Sequence, residues 1–488
     1  MSSHLRVRIR AGVEYNTCMR FRFRFALLLI ILLPLTLGLA GQPLAKTLQM
    51  SVAMREIDRA QNTGDLQAES AALVSILEYS PWRGDLWQRL GRLYFESGKG
   101  QAAVEAFEYA LAVGQLGDQG FVWLAEALIS TERLEEADTL LRNIASGEPS
   151  ILIQAAALLR RNQSIDASIV LLEKAAAAAS GDESITYQLG VLSMVSHPAA
   201  ALELLRVVRS DPQLSAKAEF LAETIQFHDT NEVNEGWYIA AGQALSQVGE
   251  WDAAAAAFAL ATVQDPQNAY TWAMLAEAQQ QMGVEGYPSL ERAVALDPEG
   301  EMVNGLAGLY HRRQGNTEQA LIQLQKALAV NPSAVVWQIE IGGTLADAGR
   351  LEDALEAYNA ATEMDRGNIQ AWVALAKFSL NRNYRVEEDG LPAARQLVLL
   401  EPRNPVYLDL LGTAYLTLGD LDSAERFFLQ ALALDPEEAA ILIHLGQTSL
   451  YRGDTELGLG YLRRASAAAG DERLREMADR LLGEYGAK

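Results

Sequence analysis

At 488 residues the chain is long enough for roughly two to four ordinary domains, and half of it is hydrophobic. Only 7% is aromatic, and alanine runs such as Ala175 to Ala179 and Ala253 to Ala257 suit close-packed helices rather than a β-sandwich. The formal net charge of −23 repels phosphate backbones, which are gripped by Lys and Arg displacing counterions, so nucleic acid is not an expected partner.

The charge is uneven. Residues 1–45 hold Arg6, Arg8, Arg10, Arg20, Arg22 and Arg24 and one acid, Glu14. That leaves 34 of the 40 basic and 62 of the 63 acidic residues in 46–488, a net charge of −28. Phe25 to Ala40 then reads FALLLIILLPLTLGLA. A basic flank keeps the N-terminus on the cytoplasmic side, and this run is short of the roughly 18–20 residues that a span needs. Gly38 and Ala40 offer small residues before a cleavage point, and Pro34 disfavours a stable span. Residues 25–40 therefore read as a cleaved signal peptide in preference to an uncleaved membrane anchor, and the mature chain is expected to begin near Gly41. Either reading makes residue 46 onward extracytoplasmic, periplasmic or within the cell envelope, with membrane contact only through this segment if it is uncleaved. Met19, followed by RFRFRF, is a second starting point for the same signal. Cys18, the only cysteine, lies upstream of the apolar run, so the mature region has no disulfide or cysteine metal site and no cysteine placed for a lipid anchor.

Beyond residue 46 one pattern recurs. Trp87, Leu90, Gly91, Tyr94, Ala103, Phe107 and Ala110 form one series. The same offsets return in Tyr238, Ala241, Gly242, Leu245, Ala254, Phe258 and Ala261, again in Ile341, Gly342, Leu345, Ala354, Tyr358 and Ala361, and again in Leu408, Leu411, Gly412, Tyr415, Ala424, Phe428 and Ala431. Spacings of three and four put the apolar members of each series on one face of two short helices. Gly98, Gly249, Gly349 and Gly419 mark the turns between them, where a positive φ ends a helix. The small residue late in the first helix (Gly91, Gly242, Gly342, Gly412) is expected to face the small residue opening the second (Ala103, Ala254, Ala354, Ala424). Pro266, Pro298, Pro332, Pro402 and Pro436 close the units, since proline lacks an N–H and disfavours helix before it.

These residues resemble the tetratricopeptide repeat, whose pattern W-x2-L-G-x2-Y, A-x3-F-x2-A, P recurs about every 34 residues. The resemblance runs from about residue 50 to 470. It implies an all-α, right-handed superhelical solenoid of about 11–12 tandem helix-turn-helix repeats. Units are expected near Met50, Gly84, Asp118, Glu148, Gly181, Glu235, Asn268, Glu301, Val335, Asn368, Pro405 and Ala439. The middle of the Asn368 unit (NRNYRVEEDG) reads as a lengthened turn. The expected organisation is 1–45 signal or anchor, 46–213 first repeat block, 214–234 irregular helix and linker, 235–470 second repeat block, and 471–488 a charged capping helix and tail.

In that family the concave groove takes peptides or proteins. Mapped through the repeat frame, the groove candidates are Gln88, Arg92, Glu126, Gln243, Gln247, Glu277, Gln281, Arg312, Lys377, Asp409, Gln447 and Tyr451. They are polar and mixed in sign, with no Lys and Asn row for a terminal carboxylate.

No chemistry competes with this reading. His4, His197, His228, His311 and His444 are scattered, without HExxH or a pair at i, i+4 beside an acid. There is no GxxxxGK[ST] and no GxSxG. The cluster Gly114, Gly117 and Gly120 falls at a repeat junction. Glu135–Glu136 and Glu387–Glu388 sit in or near turns, Arg83-Gly84-Asp85 opens a repeat helix, and Asn162-Gln163-Ser164 is a lone sequon. No catalytic residue, cofactor or metal is expected, and the repeats leave no room for a catalytic domain of ordinary size. The expected function is a non-enzymatic protein-binding scaffold of the cell envelope. The alternative is a substrate-recognition or accessory subunit of an envelope enzyme or a secretion or export machine. An RNA-binding relative of the pentatricopeptide repeat is opposed by the acidic charge.

Overall fold

The structure is a computed structural model that describes residues 42–228 and 233–486. The basic N-terminus, the apolar segment 25–40, Cys18, His4 and the expected cleavage point lie outside the described residues. Among the described residues there are 26 α-helices, one short π-helical turn and no strand, and no helix is long and apolar enough to cross a membrane. By their contacts they divide into two compact units, the first ending at Ala257 and the second beginning at Phe258.

The first unit opens with α1 (Gln42–Thr63) and α2 (Leu66–Leu77), then pairs α3 (Gly84–Glu96) with α4 (Gly100–Ala112), α5 (Asp118–Ser130) with α6 (Leu134–Arg142), α7 (Pro149–Arg161) with α8 (Ile165–Ala178) and α9 (Glu183–Ser196) with the short α10 (Pro198–Leu205). The sequence 214–234 falls mainly in one helix, α11 (Pro212–Phe227), which packs on α9 and α10 without a hairpin mate of its own. Then come α12 (Glu235–Gln247) and α13 (Trp251–Gln264), the latter running across the division between units.

The second unit pairs α14 (Ala269–Gln281) with α15 (Tyr287–Leu296), α16 (Glu301–Arg313) with α17 (Thr317–Val330), α18 (Val335–Asp347) with α19 (Leu351–Met364), α20 (Ile369–Arg382) with α21 (Leu391–Leu400), α22 (Pro405–Thr417) with α23 (Leu421–Leu434) and α24 (Ala439–Arg452) with α25 (Thr455–Ala468). Each first helix also touches the next first helix. Finally α26 (Glu472–Gly486) lays Leu474, Met477, Leu481 and Leu482 over the end of the stack, against Leu442, Ile443 and Leu462. An open stack needs such a polar-faced cap.

The turns follow the chemistry of the sequence. Gly249, Gly349 and Gly419 take φ of 82°, 75° and 79°. Such positive φ is nearly free for glycine and costly for side chains with a β-carbon. In the lengthened turn two non-glycine residues, Asn383 and Arg385, carry this strain at φ 46° and 47°, just before the π-helical turn Val386–Gly390.

The close approach at Gly91, Gly342 and Gly412 differs from the expected one. A β-carbon on Gly91 would stand 2.8 Å from the ring of Phe107, and one on Gly342 would stand 2.9 Å from Tyr358. The glycine thus makes room for the large residue four places beyond the small alanine. At Gly308 the neighbour is Leu324, at 2.5 Å. Phe107, Phe258 and Phe428 are fully buried.

A second device fixes four of the first helices, α3, α14, α16 and α20, to the loops before them. The indole Nε1 of Trp87 donates to the Pro81 carbonyl at 2.9 Å, Trp272 to Pro266 at 3.1 Å and Trp372 to Arg366 at 2.9 Å, always six residues back. Asn304 holds the same position and donates to the Pro298 carbonyl at 3.0 Å. The loop ends in a cap: Asn268, Asn368 and Asn404 accept from backbone N–H groups of the helices that follow.

Candidate functional site

The first helices of the second unit form a continuous row, and their charged residues join one helix to the next. Arg313 of α16 reaches back to Glu277 of α14 through two nitrogens, both at 2.6 Å, and Gln281 donates to the same carboxylate at 2.9 Å. Arg312 reaches forward to α18, 2.6 Å from Glu340 and 2.8 Å from Asp347. Its guanidinium lies where a β-carbon on Gly343 would stand, 2.5 Å from that position, so α18 is bare at this point to receive it. Arg382 of α20 donates to the Ala346 carbonyl at 3.1 Å and stands 3.9 Å from Asp347. Asp409 of α22 meets His444 of α24 at 2.7 Å.

Glu277 is 10% exposed and Glu340 25% exposed, so these rungs are partly shielded from water. Bidentate and shielded pairs hold geometry better than exposed ones, which contribute little. Burial, the largest single influence, pushes the His444 imidazole down. The charge of Asp409 and its hydrogen bond outweigh it, so His444 titrates above its ordinary range. Burial alone holds His311 below it.

The predicted groove residues therefore separate into kinds. Glu277, Arg312 and Asp409 are rungs between neighbouring helices, and Gln281 supports Glu277 from within the same helix. Lys377 is exposed and makes no ion pair among the described residues. Gln447 is half-buried and Tyr451 62% exposed.

In the first unit, Gln88 accepts from the Gly117 backbone N–H at 2.9 Å and so fixes the start of the next repeat. Arg92 bonds Glu96 at 2.7 Å, stands 3.7 Å from Glu126 and lies over the Trp123 ring at 5.1 Å. Gln243 and Gln247 are exposed.

Sequence reasoning missed Arg313, Glu340, Asp347, Arg382 and His444. Arginines at the ends of first helices, with acids one period away, were the available signal.

The other features singled out in the sequence are structural. Arg83 and Asp85 pair with each other at 2.6 Å and Gly84 is buried, donating to Gln115 at 2.8 Å, so the tripeptide is tied into the start of α3. Asn162 donates to the Leu134 carbonyl at 3.3 Å. Glu136 pairs with Arg133, and Glu387 and Glu388 lie in the π-helical turn. Among the described residues no group of three His, Cys, Asp or Glu side chains is placed to hold a metal ion.

Stacked two-helix units with this glycine, alanine and aromatic spacing define a class of helical-repeat protein. Residues 89–149 and 306–369 match one tetratricopeptide repeat model, and residues 405–448 match a second. The chain belongs to the tetratricopeptide repeat family, whose members are in general non-enzymatic scaffolds that bind other proteins.

Over 192 residues it is 24% identical to the protein O-mannosyl-transferase TMTC1 of Homo sapiens, covering 38% of this chain and 21% of that one. Over 86 residues it is 36% identical to a pentatricopeptide repeat-containing protein of Arabidopsis thaliana, covering 18% and 19%. The chain thus spans about a fifth of the length of the curated relatives it matches. Similar solved structures include yeast Tom70 (TM-score 0.43, 15% identity, 91% of this chain and 96% of that one) and the APC/C hetero-tetramer Cut9–Hcn1 (0.40, 13%, 89% and 96%). At these values the likeness says nothing of partners.

Proposed function

We propose that this protein is a non-catalytic interaction scaffold of the cell envelope, taking a peptide or protein segment on the face lined by its first helices. The carrying observation is the row of rungs in the second unit. Arg313–Glu277, Arg312–Glu340–Asp347 and Asp409–His444 hold successive helices in fixed register. Lys377 and Tyr451 remain outward on that preformed surface. A surface ordered before binding loses less freedom on association than one that must be assembled.

The envelope location rests on the arginine-rich N-terminus followed by the apolar run at 25–40. Service as the recognition arm of an envelope enzyme or export machine is the second form of the same reading. The match to part of an O-mannosyl-transferase favours no residue for catalysis.

The test is mild cross-linking in envelope fractions, affinity capture of the tagged chain, and mass spectrometry of both partner and mature N-terminus. A stoichiometric partner retained by wild type and lost by Lys377→Glu with Tyr451→Ala supports the reading. A partner retained equally by both, or a mature chain confined to the cytoplasm, rejects it.

A further inference from the structure

In a stack of hairpins each unit ordinarily meets only its neighbours. The rungs of the second unit obey this, joining residues 28 to 36 apart. The first unit departs from it around α9. Arg160, in the last turn of α7, stands 2.9 Å from Asp252 in the first turn of α13, with α8 to α12 between them in sequence. Beside that pair the Tyr187 hydroxyl of α9 donates to Glu250 at 3.1 Å, and Lys217 of α11 lies 3.9 Å from the same carboxylate. Five side chains from α7, α9, α11 and the start of α13 thus meet in one cluster. Arg160 and Asp252 are only 18% and 16% exposed. The Arg160 Nε makes no hydrogen bond of good geometry, so its tie to Asp252 is one of charge.

What lies under the cluster is equally distinct. In the repeat frame set by Gly190 and Gly308, Tyr187, Val191, Met194 and Val195 of α9 take the places of Gly305, Leu309, Arg312 and Arg313 of α16. The last two of those are charged rung residues, whereas the α9 residues are 3%, 0%, 0% and 1% exposed. Both α11 and α12 pack on α9. Trp237 of α12 donates to the Met194 and Val195 carbonyls at 3.2 Å each, which closes the C-terminal end of α9.

We infer that Arg160, Tyr187, Lys217, Glu250 and Asp252 form a clasp that shuts the first-helix face over α9. With the clasp closed, this stretch takes no partner. The apolar face of α9 becomes accessible only when the segment from Arg160 to Asp252 opens as one cooperative block. Sub-global openings of this kind are read directly by amide exchange.

Hydrogen exchange on the full chain, followed by mass spectrometry, tests the clasp. In Arg160→Met the amides of residues 183–196 should exchange about tenfold faster, while those of α3 to α5 keep their wild-type rates. The charge swap Arg160→Asp with Asp252→Arg should return residues 183–196 toward the wild-type rate. Unchanged exchange in Arg160→Met, or a swap as fast as the single variant, overturns the clasp. If Arg160→Met loses its far-ultraviolet helical signal, the reading passes to Tyr187→Phe, which removes only the bond to Glu250. Faster exchange confined to residues 160–252 then supports the clasp, and unchanged exchange, or a rise spread over the whole first unit, overturns it.

Discussion

The ring of Phe428 fills the space that a β-carbon on Gly412 would need, its nearest atom 2.5 Å from that position. Gly412 is thus a packing residue, not a turn residue. Gly412→Ala should lower stability by about 1–3 kcal/mol through overpacking. Gly460, inside α25 with nothing within 4 Å of its absent β-carbon, provides the contrast. Gly460→Ala should raise stability by up to about 1 kcal/mol through helix propensity. Urea midpoints of the two variants should move in opposite directions.

The indole-to-carbonyl bond is separable from the packing of the ring. Trp272→Phe keeps an aromatic body and leaves the Pro266 carbonyl without its donor. The expected loss is about 0.5–1.5 kcal/mol. Trp123, which makes no such bond to a loop carbonyl, should give a smaller loss on the same change. Thermal unfolding of both variants checks this.

The two histidines of the second unit should respond to pH with opposite sign. His444 is raised, so its contribution is complete below the ordinary value of about 6.5 and is lost as pH rises through its higher folded value. His311 is lowered by burial, so it favours the folded state above about 6.5 and opposes it as pH falls toward its folded value. An NMR titration should find the two ring signals on opposite sides of the free-histidine value. In Asp409→Asn only burial remains, and the His444 signal should fall below that value.

Removing one side of a shielded rung should cost more than removing both. Arg313→Met leaves the Glu277 carboxylate, 10% exposed, with Gln281 as its remaining partner. The expected loss is about 1–3 kcal/mol. Adding Glu277→Leu removes the stranded charge, and the double variant should recover part of that loss. A double-mutant cycle on thermal unfolding reads the coupling, and a coupling near zero would count against the rung.

Much of this fold is legible in the sequence because each repeat is a local solution. Gly84, Asp118, Glu235, Glu301, Val335, Pro405 and Ala439 mark helix starts to within a residue, since spacing, glycine turns and closing prolines act within about 34 residues. The partner of Gly412 was misjudged because two residues on one face of the second helix, Ala424 and Phe428, were both plausible neighbours. Only the crossing geometry decides between them. The candidate face was legible as positions but not as roles. Nothing local tells that Arg312 points forward to α18 while Arg313 points back to α14. Arg160 and Asp252 were beyond reach, because a repeat frame carries no information about contacts that skip a repeat.

That skipped contact gives the two units different mechanical character. Drawn out from its ends, the second unit would yield hairpin by hairpin, each release adding about 110 Å of extended chain. The first unit would hold from Arg160 to Asp252 and then give way in a single long step of about 300 Å.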